Sequence, residues 1–119
     1  MLQSLVLVGL GGMLGSMARY LAGYFIKSLG FPFSTLIVNL SGSLLIGWLM
    51  AKWGRELLGE DGRLFLVVGL CGGFTTLSAL SWENWQFLQA GKYLHCLGYS
   101  ILTVLGGLML TALGYYWGK

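Results

Sequence analysis

Gly69-Leu70-Cys71-Gly72-Gly73-Phe74-Thr75-Thr76 stands in the middle of an uncharged run, residues 64–82. That run is long enough to cross a bilayer. The stretch within it is poorly suited to regular helix. A glycine in a helix interior costs roughly 1 kcal/mol relative to alanine, and here two adjacent glycines precede two β-branched hydroxyl residues. Backbone groups freed in hydrocarbon must find partners or cost several kcal/mol more. A break is therefore tolerable only where protein encloses it or where it lines a cavity, which is how membrane proteins build ion sites. The stretch predicts a spanning helix broken near the bilayer midplane.

The rest of the composition agrees with a membrane setting. The chain has 119 residues, enough for one domain, 1–119, and is 56% hydrophobic with only 9% charged residues, which excludes an ordinary soluble domain. The charges are clustered: Lys27 alone, then Lys52, Arg55, Glu56, Glu60, Asp61 and Arg63, then Glu83 and Lys92, and finally Lys119. Between them lie four stretches nearly free of charge, residues 2–26, 31–51, 64–82 and 93–117. Each approaches the roughly 20 residues of a spanning helix. The expected fold is all-α and integral to the membrane, with four transmembrane helices.

A cleaved signal peptide requires positive charge ahead of a short apolar core. Here Arg19 follows the apolar core and the run continues past it. The N-terminal segment is therefore read as the first span. No basic stripe suggests nucleic acid. Four spans place both termini and the 52–63 loop on one side, with Lys52, Arg55, Arg63 and Lys119; the other side has Lys27 and Lys92, with Arg19 near the end of its span. So small a bias permits insertion in both orientations, and hence an antiparallel dimer.

Several polar or small residues fall inside the spans. Gly11 and Gly15 form a small-xxx-small pair suited to close helix packing. Arg19 can anchor by snorkelling or face a water-filled vestibule. Thr35 and Asn39, four apart with Gly42 and Ser43 nearby, share a helix face. Asn39 either bonds helix to helix or donates to something passing. In the last span Tyr99, Thr103 and Gly107 recur every fourth residue as a semi-polar stripe. Trp82, Trp85 and the 114–117 segment suit aromatic belts, and Glu83 lies near a water boundary. Cys71 and Cys96 are expected as free thiols inside spans. The single histidine, His95, has no second ligand nearby and reads as interfacial. No enzymatic constellation is visible.

Three motifs carry a family resemblance over essentially the whole chain. Gly11-Gly12-Met13-Leu14-Gly15-Ser16-Met17-Ala18-Arg19-Tyr20 resembles a G-G-x-x-G-x-x-x-R-[YW] first helix. Thr35-Leu36-Ile37-Val38-Asn39-Leu40-Ser41-Gly42 resembles T-L-x-V-N-x-x-G, and Gly69 to Thr76 resembles G-x-C-G-G-x-T-T. Together they are similar to the Fluc (also called CrcB) family of small fluoride channels. The resemblance implies an antiparallel, dual-topology homodimer with two anion pores. It also implies a structural sodium ion on the dimer axis, held by the backbone carbonyls of Gly72 and Thr75. The anion pathway it implies involves Thr35, Asn39, Phe74, Leu77, Ser78, Leu80, Tyr99 and Thr103, with Arg19 and Glu83 linked to conduction. The cell membrane is the implied location, in a bacterium the inner membrane.

One departure stands out. The family follows T-T with F-S-T-F, whose ring edges face the anion; here the matching positions are Leu77 and Leu80. This opens an alternative, a non-conducting member or one that depends on a second, different subunit. A small multidrug transporter also has four short spans. It needs a membrane-embedded carboxylate, and the first span has none.

Overall fold

The computed structural model describes residues 1–27 and 30–119. All regular structure among these residues is helical: α1 (Leu2–Phe25), α2 (Phe33–Gly54), α3 (Glu60–Arg63), a π-wound segment (Leu64–Cys71), a closing turn α4 (Gly72–Phe74), α5 (Leu77–Gln89) and α6 (Tyr93–Gly118). Taken as spans, Leu2–Phe25, Phe33–Gly54, Glu60–Gln89 and Tyr93–Gly118 are long and apolar enough to cross a membrane. The chain is a multi-pass membrane protein. Its charge-poor stretches became the four spans because hydrocarbon excludes charge, and the second and third spans run a turn or more past theirs into polar flanks.

Local chemistry sets the helix ends. Pro32 precedes α2, where its missing N–H and fixed φ cost nothing. The α2 end is a Schellman motif: Leu57 N–H donates to the Lys52 carbonyl and Glu56 N–H to the Trp53 carbonyl, both at 2.9 Å. Glu56 holds the left-handed position, φ 60°, that a glycine would fill without strain. At the end of α5 the same motif has Gly91 there, φ 75°, with Lys92 N–H reaching the Phe87 carbonyl at 2.8 Å.

Glycine zippers hold the helices together. In lipid the apolar side chains gain little by packing on each other, so close backbone approach supplies the attraction. Along α1, Gly11 and Gly15 are buried against the third span. A Cβ on Gly11 would collide with the Phe65 carbonyl and sit 2.9 Å from Leu70 N; one on Gly15 would collide with the Leu70 carbonyl. Reciprocally, a Cβ on Gly69 would meet the Val8 carbonyl at 2.7 Å, and one on Gly73 the Gly12 carbonyl at 2.5 Å. A second zipper joins α2 to α6, which run in the same direction. Gly47 faces the Thr111 carbonyl, Gly114 the Leu44 carbonyl and Gly118 the Trp48 carbonyl. Large apolar side chains such as Leu5, Met17, Leu21, Val104 and Leu108 point outward, as lipid requires.

The third span is broken within the expected stretch, residues 69–76, and the break falls on its threonines rather than on its glycine pair. Residues 64–74 stay wound, first as π-helix and then as one α turn. The break falls at Thr75 (φ −84°, ψ 156°) and Thr76 (φ −152°, ψ 119°), both extended. Gly69 and Gly73 are needed helical, because their missing Cβ atoms admit α1. The β-branched threonines after them adopt the extended geometry they tolerate best.

These contacts give Gly15→Ala a definite outcome. The new Cβ must push α1 off the third span, and loss of about 2 kcal/mol or more is expected, measured as a lowered thermal midpoint in detergent. Gly98→Ala, whose Cβ meets nothing within 4 Å, should leave the midpoint unchanged or raise it slightly.

Candidate ion pathway

The break frees backbone groups, and side chains from distant helices take up three of them. The Thr76 N–H donates to Asn39 Oδ1 at 2.8 Å, and Asn39 Nδ2 donates to the Thr76 carbonyl at 3.2 Å. One amide from α2 thus replaces both missing helical bonds of Thr76. Arg19 Nε, from α1, donates to the Gly73 carbonyl at 3.2 Å. Thr76 Oγ1 caps α5 by accepting from Ala79 N–H at 3.2 Å, and Thr75 N–H and Oγ1 both donate to the Cys71 carbonyl, at 3.0 and 2.9 Å.

Among the described residues three carbonyls are left over, those of Gly72, Phe74 and Thr75. Thr76 N–H would complete the Gly72 bond in a continuing helix, but Asn39 has claimed it. Among the described residues no hydrogen bond reaches the carbonyl of Gly72 or of Thr75. Gly72 is exposed, and a Cβ there would meet nothing within 4 Å. The donor set is therefore right for a hard cation, which takes oxygen ligands, on a face open to a second molecule.

Beside the break lies a central cavity of about 590 Å³, open to one side, whose lining includes Asn39, Ser43, Gly72, Thr75, Thr76 and Thr103 as well as Leu77 and Leu80. A second cavity of about 410 Å³ opens at the end of the bundle where Lys92 lies, lined by Ser34, Thr35, Glu83, Gln86 and Lys92 among others. On α2, Thr35, Asn39 and Ser43 follow at every fourth residue, so one polar stripe serves both cavities.

A carboxylate is embedded at the outer cavity. Thr35 Oγ1 donates to Glu83 Oε1 at 2.5 Å and Tyr99 OH donates to Glu83 Oε2 at 2.7 Å. Tyr99 is fully buried, with its ring edge-on to Phe31 (5.2 Å) and Phe87 (6.2 Å). A parallel tie, Asn84 Nδ2 to Ser100 Oγ at 3.0 Å, joins the same two helices one residue on.

The structure brings the sequence-predicted residues together unevenly. Asn39, Thr75, Leu77, Leu80 and Thr103 share the central cavity, while Thr35 and Glu83 belong to the outer one. Leu80 is also packed with Leu36, Phe87 and Tyr99 in the core, whereas Leu77 is exposed. Phe74 does not line the central cavity; its ring lies against Gly42, whose Cβ would meet Cδ2 at 3.5 Å. Ser78 is exposed at the start of α5, with its hydroxyl 3.1 Å from that of Thr76. Arg19 neither snorkels freely nor stands alone, since it holds a carbonyl at the break. Asn84 and Ser100 carry no local sequence signal of their pairing, whereas Ser43 does, eight residues after Thr35 on the same face of α2.

Residues 6–115 match the family model described as CrcB-like protein, Camphor Resistance (CrcB). The chain is 45% identical over 116 residues to a fluoride-specific ion channel FluC of Thermus thermophilus, covering 95% of this chain and 91% of that one. It is 44% identical over 110 residues to FluC of Leptospira interrogans serovar copenhageni, covering 89% and 87% of the two. With FluC of Chlorobium chlorochromatii it shares 42% identity over 113 residues, 92% and 88%.

The Asn39 bonds set up a test of the break. Asn39→Asp keeps an acceptor for Thr76 N–H but turns a carboxylate oxygen toward the Thr76 carbonyl. Amide exchange at Thr76 and at the first turn of α5 should speed up, with a stability loss of about 1–3 kcal/mol. Unchanged exchange there would mean that the amide does not hold the break.

Proposed function

Because this chain belongs to the CrcB-like protein family, we propose that it is a fluoride-selective channel through which fluoride leaves the cytoplasm passively. The observation that carries the reading is the donor-lined central cavity directly beside a helix break. Fluoride is small and strongly hydrated, so a pathway must offer N–H and O–H groups in place of water. Asn39, Thr103 and the hydroxyl residues around them supply such groups at mid-membrane. Asn39 already bonds Thr76 through one N–H, and the amide keeps a second. At the outer cavity, the Glu83 carboxylate holds the Thr35 and Tyr99 hydroxyls, so an arriving anion competes with it for both donors. Lys92 at the same cavity offers attraction from the water side.

The open carbonyls of Gly72 and Thr75 fit a sodium ion shared with a second copy of the chain lying in the opposite sense. Two copies would present four oxygens across the axis. When bound, such an ion supplies a fixed positive charge that lowers the cost of an anion nearby. The protein then acts as an antiparallel homodimer in the cell membrane, the inner membrane of a bacterium. This is transport with no bond made or broken, and no catalytic residue is required.

A second reading rests on Leu77 and Leu80. Both line the central cavity, where their aliphatic side chains present no positive ring edge to an anion. On this reading the chain conducts only beside a different subunit, or not at all.

One experiment separates the two. Liposomes carrying the purified chain and loaded with potassium fluoride should empty far faster than protein-free liposomes, followed with a fluoride electrode. Release at the protein-free rate would remove the homodimeric channel. If Leu77→Phe with Leu80→Phe then created release, the second reading would take its place.

A further inference from the structure

The polar stripe of α6 has a gap. Tyr99, Thr103 and Thr111 carry hydroxyls at four-residue intervals, but position 107 between them is glycine. A Cβ at Gly107 would stand 3.2 Å from Ser43 Oγ and 3.9 Å from Ser43 Cβ. The Ser43 side chain, reaching over from α2, thus occupies the space that a side chain at 107 would take. Thr111 Oγ1 holds it in register by donating to the Ser43 carbonyl at 3.0 Å. On the other side, Thr103 Oγ1 is buried with no hydrogen-bond partner among the described residues. A hydroxyl kept in that state costs about 1–3 kcal/mol unless something visits it. Ser43 and Thr103 line the same central cavity.

We infer that Ser43 supplies from α2 the hydroxyl missing at Gly107, and that with Thr103 it forms a station for the permeating anion. The inference rests on the channel reading above. At rest, Ser43 Oγ donates to the Asn39 carbonyl at 2.8 Å, the weak back-bond of a helical serine. Its single O–H rotates between staggered wells, so it can turn from that carbonyl to an anion in the cavity. Thr103 has its O–H already free. The ligand is a small, strongly hydrogen-bonding halide, for which fluoride is the probe.

The test is fluoride release from liposomes, with monodisperse elution in detergent as the check on folding. Ser43→Ala and Thr103→Val should each slow release roughly tenfold or more, the worth of one hydrogen bond to an anion. The transplant Ser43→Ala/Gly107→Ser, which moves the hydroxyl to α6 into space the first change vacates, should restore release to near the parent rate. A purely structural role for Ser43 would not be rescued from another helix. If Ser43→Ala aggregates, Ser43→Cys takes its place with the same expected loss, since a thiol is a weak donor. Parent-like release by the Ser43 and Thr103 variants overturns the inference while leaving the channel intact, as does a transplant no faster than the single variant. A parent chain that releases no fluoride overturns the channel reading, and this inference falls with it.

Discussion

Backbone polarity in hydrocarbon is the constraint on which this structure turns. At Thr75 and Thr76 the third span leaves helical geometry, and hydrocarbon offers no partner to the freed N–H and C=O groups. Asn39 from α2 and Arg19 from α1 take up the freed groups on either side of the break. Two helices are thereby tied to one interruption by charged or amide hydrogen bonds. The carbonyls of Gly72, Phe74 and Thr75 are reached by neither side chain, and those of Gly72 and Thr75 are the ones the proposed ion would use.

Glycine sets how closely the helices meet around those ties. Gly11, Gly15, Gly69 and Gly73 let α1 and the third span meet backbone to backbone, and Gly47 and Gly114 do the same for α2 and α6. The π winding of Leu64–Cys71 ends one short α turn before the break, and such widened turns recur at functional sites. Packing and site are thus built from the same residues.

The polar interior separates into two kinds of chemistry. Near the outer cavity a carboxylate has gathered two hydroxyl donors, so the donors are strongly held. In the central cavity the donors rest on backbone carbonyls or, at Thr103, on no partner among the described residues. A hydroxyl that gives up only a weak local bond can turn to an anion at little cost. Leu77 and Leu80 present no aromatic ring edge to this cavity, so under the proposed function the N–H and O–H groups must do most of the stabilising.

The four spans were legible in the sequence because exclusion of charge from hydrocarbon is written residue by residue and needs no knowledge of neighbours. Tight packing at Gly11 and Gly15 was legible for a similar reason, since small residues four apart make one flat strip on a helix. Interruption of the third span within residues 69–76 was legible in its composition, but which residues of that stretch leave the helix was not. The glycines that should have weakened the helix are held in it by α1, and only that contact shifts the break to the threonines. Asn39 and Arg19 bond to residues 37 and 54 positions away. Which buried polar group meets which is decided by how helices dock, a long-range matter on which local sequence is silent.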